Sequence, residues 1–204
     1  MKAFVFVLFS LISFNAWATE PVPGQEYTGP QKFELAQLGL SFDLPKGWSG
    51  GIPPGQEIFV MAAPGVEGFI FLSVNQSSQA EITQTMAGQI PLDEGMVLIP
   101  SATPKTKKNK VTNTYTVTGT EYSGEGTAII GPGGVSLLVL ALAAPAGMDV
   151  TKKAANAVIA SAKLAKPKAA KSNVGKTGSG PWDAPLNLNR ATRGAWSSIK
   201  LGTS

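Results

Sequence analysis

This 204-residue sequence predicts an α+β domain, an antiparallel sheet with helices packed on it. Three observations carry that prediction. Alternating or apolar β-forming stretches follow one another across short Gly- and Pro-containing turns, and tight turns join antiparallel strands. Only two stretches have helical spacing, AEITQTMAGQI and the residues after AAPAG. Their narrow apolar stripes require a sheet beneath them.

The chain opens MKAFVFVLFSLISFNAWA, with Lys2, an apolar run, and small residues at Ala16 and Ala18. Basic start, apolar core and Ala-x-Ala site stand in the order that a signal peptidase reads, so residues 1–18 are expected to direct export, periplasmic or secreted. The apolar core of about a dozen residues is short of the ~20 that span a bilayer, which leaves an uncleaved anchor as the other reading. TEPVPGQEYTGPQ, residues 19–31, is rich in Pro and Gly without apolar period and reads as a flexible leader. The domain is then expected over residues 32–164.

Its first strand is LSFDL, where Leu40, Phe42 and Leu44 alternate with Ser41 and Asp43, closed by the turn Pro45-Lys46-Gly47 with Trp48 covering the core beyond it. IFVMAAP and GFIFLSVNQ, joined around Gly65 to Gly68, suit a hairpin of largely buried strands. Ser78 is placed to cap a short helix carrying Ile82, Met86 and Ile90 at spacings of four. MVLI then reads as a short edge strand, and the lysines around Lys107, Lys108 and Lys110 as an exposed polar turn.

VTNTYTV is strongly β-forming, with Val111, Asn113, Tyr115 and Val117 on the face expected to pack. Ser123-Gly124-Glu125-Gly126 reads as a hairpin turn, and residues 127–142 as a hairpin feeding a central strand in VSLLVLALAAP. Residues 148–164 are expected to be helical, with Val150, Ala154, Ala157, Val158, Ser161 and Ala162 on one face and Asp149 at the positive end of the dipole.

Composition excludes several chemistries. The chain has neither Cys nor His, so disulfides, thiol nucleophiles, imidazole bases and thiolate or imidazole metal sites are ruled out. No metal site and no cofactor are expected, and any enzyme would have to use carboxylates, Lys, Ser/Thr or Tyr. Asp93 and Glu94 are neighbours that read as a solvated turn, since adjacent residues of an extended chain point apart. Asn75-Gln76-Ser77 has the spacing of an N-glycosylation sequon.

GLSFDLPKGW, followed by the hairpins and the closing helix after AAPAG, resembles the PsbP-like fold family over roughly residues 33–164. The resemblance implies an α/β/α sandwich and a binding or assembly role, with no catalytic site to carry over. Some members of that family bind metal through histidine and acidic residues; without histidine that property does not transfer.

Charge is unevenly spread. Residues 19–162 carry eight basic and twelve acidic side chains, a net of −4, whereas residues 163–204 carry eight basic and one acidic, a net of +7. Residues 165–181 read as a disordered basic linker, in which Lys163, just before it, with Lys166, Lys168, Lys171 and Lys176, is suited to an anionic membrane surface or envelope polymer. AKSNVGKT inside it satisfies the letters of a phosphate loop, but a Lys/Ala/Pro run precedes it and GSGPWDAP follows. A buried strand and a helix N-terminus are therefore both missing, and no nucleotide is expected. Nucleic acid is disfavoured as well, since no aromatic side chain interleaves these lysines. In residues 182–204, Trp182 and Trp196 are candidate contacts, for docking on the domain or for engaging a partner, with a disordered segment as the other reading. The reading is a non-enzymatic exported module binding a protein or envelope component, with a Ser/Lys or carboxylate hydrolase as the alternative.

Overall fold

A computed structural model describes residues 18–92 and 96–166. In chain order the strands are β1 (Glu26–Thr28), β2 (Gln31–Leu35), β3 (Leu40–Leu44), β4 (Ser49–Gly51), β5 (Phe59–Ala62) and β6 (Gly68–Gln76). Helix α1 (Gln79–Ala87) follows, then β7 (Ile90–Pro91), β8 (Val97–Pro100), β9 (Lys105–Lys107), β10 (Lys110–Val117), β11 (Ser123–Ile130) and β12 (Val135–Ala143). Helix α2 (Met148–Ser161) and the short β13 (Lys163–Leu164) close the domain. The fold is α+β and its strand pairs are antiparallel, as tight connections require.

The main sheet runs β1-β4-β5-β6-β12-β11-β10-β8-β7, with β9 added beside β10; a second sheet runs β13-β3-β2. Strand β12 is buried along its whole length and pairs residue for residue with β6 and β11, so VSLLVLALA does form the centre. A strand covered on both faces needs a continuous apolar run. One face, through Met61, Ile70, Leu72, Leu137 and Val139, packs against the small sheet and α2. Phe33 and Phe42 of the small sheet meet Phe59 of the main sheet at centroid distances of 5.2 and 5.5 Å, joining the two layers. Trp48 is buried in the same layer. On the other face α1 seats Ile82 and Met86 over Val111, Ala128 and Leu138, so the main sheet has a helix on each side.

Local chemistry explains the elements that form as expected. Ser78 caps α1: its hydroxyl accepts from the Glu81 backbone N–H, and the Glu81 carboxylate accepts from the Ser78 N–H at 2.7 Å. The Ser78 N–H foremost, and then the Ser78 hydroxyl, which donates to the same carboxylate at 2.8 Å, hold the Glu81 carboxyl below the usual carboxylate range. In β10, Val111, Asn113, Tyr115 and Val117 are buried as their alternation predicts.

Four expectations change. The segment read as a flexible leader belongs to the sheet: β1 pairs with β4, Thr19 bridges to Phe33, and Tyr27 is buried edge-on against Phe33. Residues 123–126 are strand, with the turn displaced to 118–122; Gly124 and Gly126 stand where Leu142, Met86 and Tyr115 side chains lie against the backbone and leave no room for a Cβ without adjustment. Helix α2 ends at Ser161, after which Lys163 and Leu164 pair with β3. Its buried face is Thr151, Ala154, Ala155 and Val158, and Val150 is exposed. Ile90 leaves the α1 stripe and is buried in β7.

Candidate interaction surface

The strand registers sort the loops into two ends. At one end lie the β5–β6 and β10–β11 turns and the start of α2, because Gly68 pairs with Ala143 and Ala143 with Ser123. This end carries Glu67, Glu121 and Asp149. Tyr122 sits among them, its phenol pushed up by burial first and then by the charges of Glu67 and Glu121.

At the other end lie the β9–β10 and β11–β12 turns, because Lys110 pairs with Ile129 and Lys107 with Lys110. Asn109 at the hairpin tip locks the two turns together: its side-chain amide donates to the Ile130 carbonyl at 2.9 Å, and its own carbonyl accepts from the Ile130 N–H at 2.8 Å. Lys105, Lys107 and Lys108 are exposed, and Lys108 takes the left-handed conformation (φ 54°) that turns the chain. Helix α2 carries the chain from the acidic end to this one. Leu164 then lies on Gly131, where a Cβ would collide with it, and the Ala165 N–H donates to the Gly39 carbonyl at 2.8 Å.

Lys163 and Lys166 are both exposed and lie at the C-terminal end of the described residues. Lys163 belongs to β13, inside the fold. Lys168, Lys171, Lys176, Trp182 and Trp196 lie outside the described residues, as do Asp93 and Glu94. The sequence reading missed that the hairpin lysines share an end with the tail exit. Its only sequence signal was the second lysine cluster itself.

Lys152 pairs with Glu125 at 2.7 Å, and that bond raises its ammonium pKa, the opposite of what a lysine base requires. A groove of about 270 Å³ beside the β1-β4-β5 edge is walled by Gly50, Gly51, Ile52, Pro54, Val60 and Ala62, with Glu26 at its rim. Asn75 of the sequon is buried and donates to the Ser73 hydroxyl at 3.0 Å, facing the core in the folded chain. Among the described residues no three carboxylates gather as a metal site, and no helix is long and apolar enough to cross a membrane.

These features define an antiparallel α+β domain with a lysine-rich hairpin at one end and Glu67, Glu121 and Asp149 at the other. No family model and no curated protein matches the chain. Among solved structures it is similar in fold to the cyanobacterial PsbP protein (CyanoP) of Synechocystis sp. PCC 6803, at 15% identity over 69% of this chain and 92% of that one, with a TM-score of 0.40. A Bacteroides thetaiotaomicron VPI-5482 protein is similar at 16% identity and a TM-score of 0.40; the likeness covers 66% of this chain and about half, 48%, of that one.

Proposed function

We propose that this chain is an exported, non-enzymatic binding or assembly module of the cell envelope. The domain engages a protein or envelope component, and the basic stretch Lys163, Lys166, Lys168, Lys171 and Lys176 holds an anionic surface, with Trp182 and Trp196 as partner contacts. One observation carries the reading: Lys163 and Lys166 are exposed at the chain's exit, at the opposite end from Glu67, Glu121 and Asp149. A charge separation of this kind orients a protein at a charged surface before any specific contact forms.

The test compares the full chain with Lys166→Gln/Lys168→Gln/Lys171→Gln/Lys176→Gln in sedimentation with envelope fragments. The tail reading requires cosedimentation of the parent at low salt, weakening toward physiological salt, where the Debye length is ~8 Å. It also requires loss of most of that binding in the variant. Equal binding by both proteins would reduce the tail to a linker.

A further inference from the structure

We infer that the β9–β10 hairpin and the tail exit form a single basic face that seats on an anionic lipid bilayer. The inference rests on the tail reading above, but adds residues that the tail does not contain. Lys105, Lys107, Lys108 and Lys110 lie on one hairpin, and Lys163 and Lys166 on the segment that Leu164 pins to the adjoining β11–β12 turn. The Asn109–Ile130 hydrogen bonds fix the hairpin tip to that turn, so the lysines are presented by a braced edge of the sheet.

Carboxylates lie near this end as well. Glu81 is held in its capping box, and Asp43 stands opposite Lys32 across β2 and β3. Glu34, opposite Ser41 and hence one strand removed from Lys163, and Glu20, which the Thr19–Phe33 bridge sets beside it, are further acidic neighbours by register.

The shape of the face selects the partner. A discrete anion needs donors converging on a concave site, whereas these lysines project from strand ends and a hairpin tip, and the groove described above lies elsewhere, along the β1 edge. An array of long, flexible, mostly exposed cations on separate segments matches a planar charged surface. The ammonium groups reach the phosphates while their stems adapt. Nucleic acid is the poorer fit, because no aromatic side chain occurs between Lys105 and Lys110 for bases to stack on.

The experiment measures partition of the full chain onto phosphatidylcholine vesicles with and without phosphatidylglycerol. It compares Lys107→Gln/Lys108→Gln with Lys46→Gln/Lys153→Gln, a pair of exposed lysines remote from this face that removes the same charge. The hairpin variant is expected to lose anionic-vesicle binding about tenfold or more, and the control about twofold or less. Arg at the two hairpin positions keeps the charge and is expected to restore binding. Equal losses in the two Gln variants would overturn the proposal, as would equal binding to neutral vesicles, or capture by dextran sulfate without capture by anionic vesicles. The tail variant separates the two readings. If it alone loses binding, the hairpin face falls and the tail stands; if the hairpin variant alone loses binding, the reverse holds.

Discussion

The carbonyl of Met86 receives two buried donors, the Asn113 amide at 2.7 Å and the Tyr115 hydroxyl at 3.0 Å. Both come from the packed face of β10, so this one oxygen fixes the C-terminal turn of α1 to the sheet. Orphan carbonyls at a helix end need such partners, and here side chains supply them. Removing one donor leaves the other in place, so Tyr115→Phe is expected to cost about 1 kcal/mol in urea-unfolding free energy. Burial also pushes the Tyr115 phenol up to about 12 from 10.0, against a smaller opposing effect of Asn113. The unfolded chain therefore releases that proton first. The stability it carries is full below pH 10 and is lost as pH rises toward 12, a decline that Tyr115→Phe flattens. An alkaline unfolding series identical in the two proteins would show that the phenol is not held in the core.

β1 is three residues long and has no periodic signal, yet it closes one edge of the main sheet. Its anchor is Tyr27, whose ring meets Phe33 at 5.0 Å and whose hydroxyl accepts from the Val22 N–H at 2.9 Å. Tyr27→Ala is expected to cost about 3 kcal/mol and to open residues 19–30 to limited proteolysis, while the parent resists cleavage there. Cleavage at equal rates would mean that this segment is not docked. The same strand shows why parts of the fold were legible in the sequence and parts were not. Helix α1 was readable because its start depends on Ser78 and Glu81, three residues apart, and β10 because its face alternates. β1 and β13 were not, since each is held by distant partners: Phe33 and β4 for one, β3 and Gly131 for the other. Gly124 and Gly126 imitated a turn because glycine serves close packing as well as reversal. At the interaction surface, the exposure of Lys163 and Lys166 was legible from composition. Their juxtaposition with Lys107 and Lys108 was not, because it follows from pairing between β10 and β11 and from the length of α2.

At the scale of the whole molecule, the two sheets share one core. Phe33 and Phe42 of the small sheet interlock with Phe59 of the large one, and Ala154, Ala155 and Val158 of α2 join the same cluster. The small sheet has no second apolar face on which to survive alone, being exposed at Glu34 and Asp43 on its outer side. A three-stranded sheet with one buried face needs its cover. Damage to either layer should therefore lower one common transition. Phe42→Ala in the small sheet is expected to cost about 3–5 kcal/mol, and Val139→Ala in the large sheet about 2 kcal/mol. In both, calorimetric and van't Hoff enthalpies should agree, and far- and near-ultraviolet circular dichroism should report one midpoint. A small-sheet variant that melts in two steps, with the large sheet persisting after near-ultraviolet signal is lost, would mean that the layers are separate units. The charged face would then rest on two independent supports, its hairpin on one sheet and its tail exit on the other, and the continuity that links Lys107 to Lys163 would last only as long as the weaker of the two.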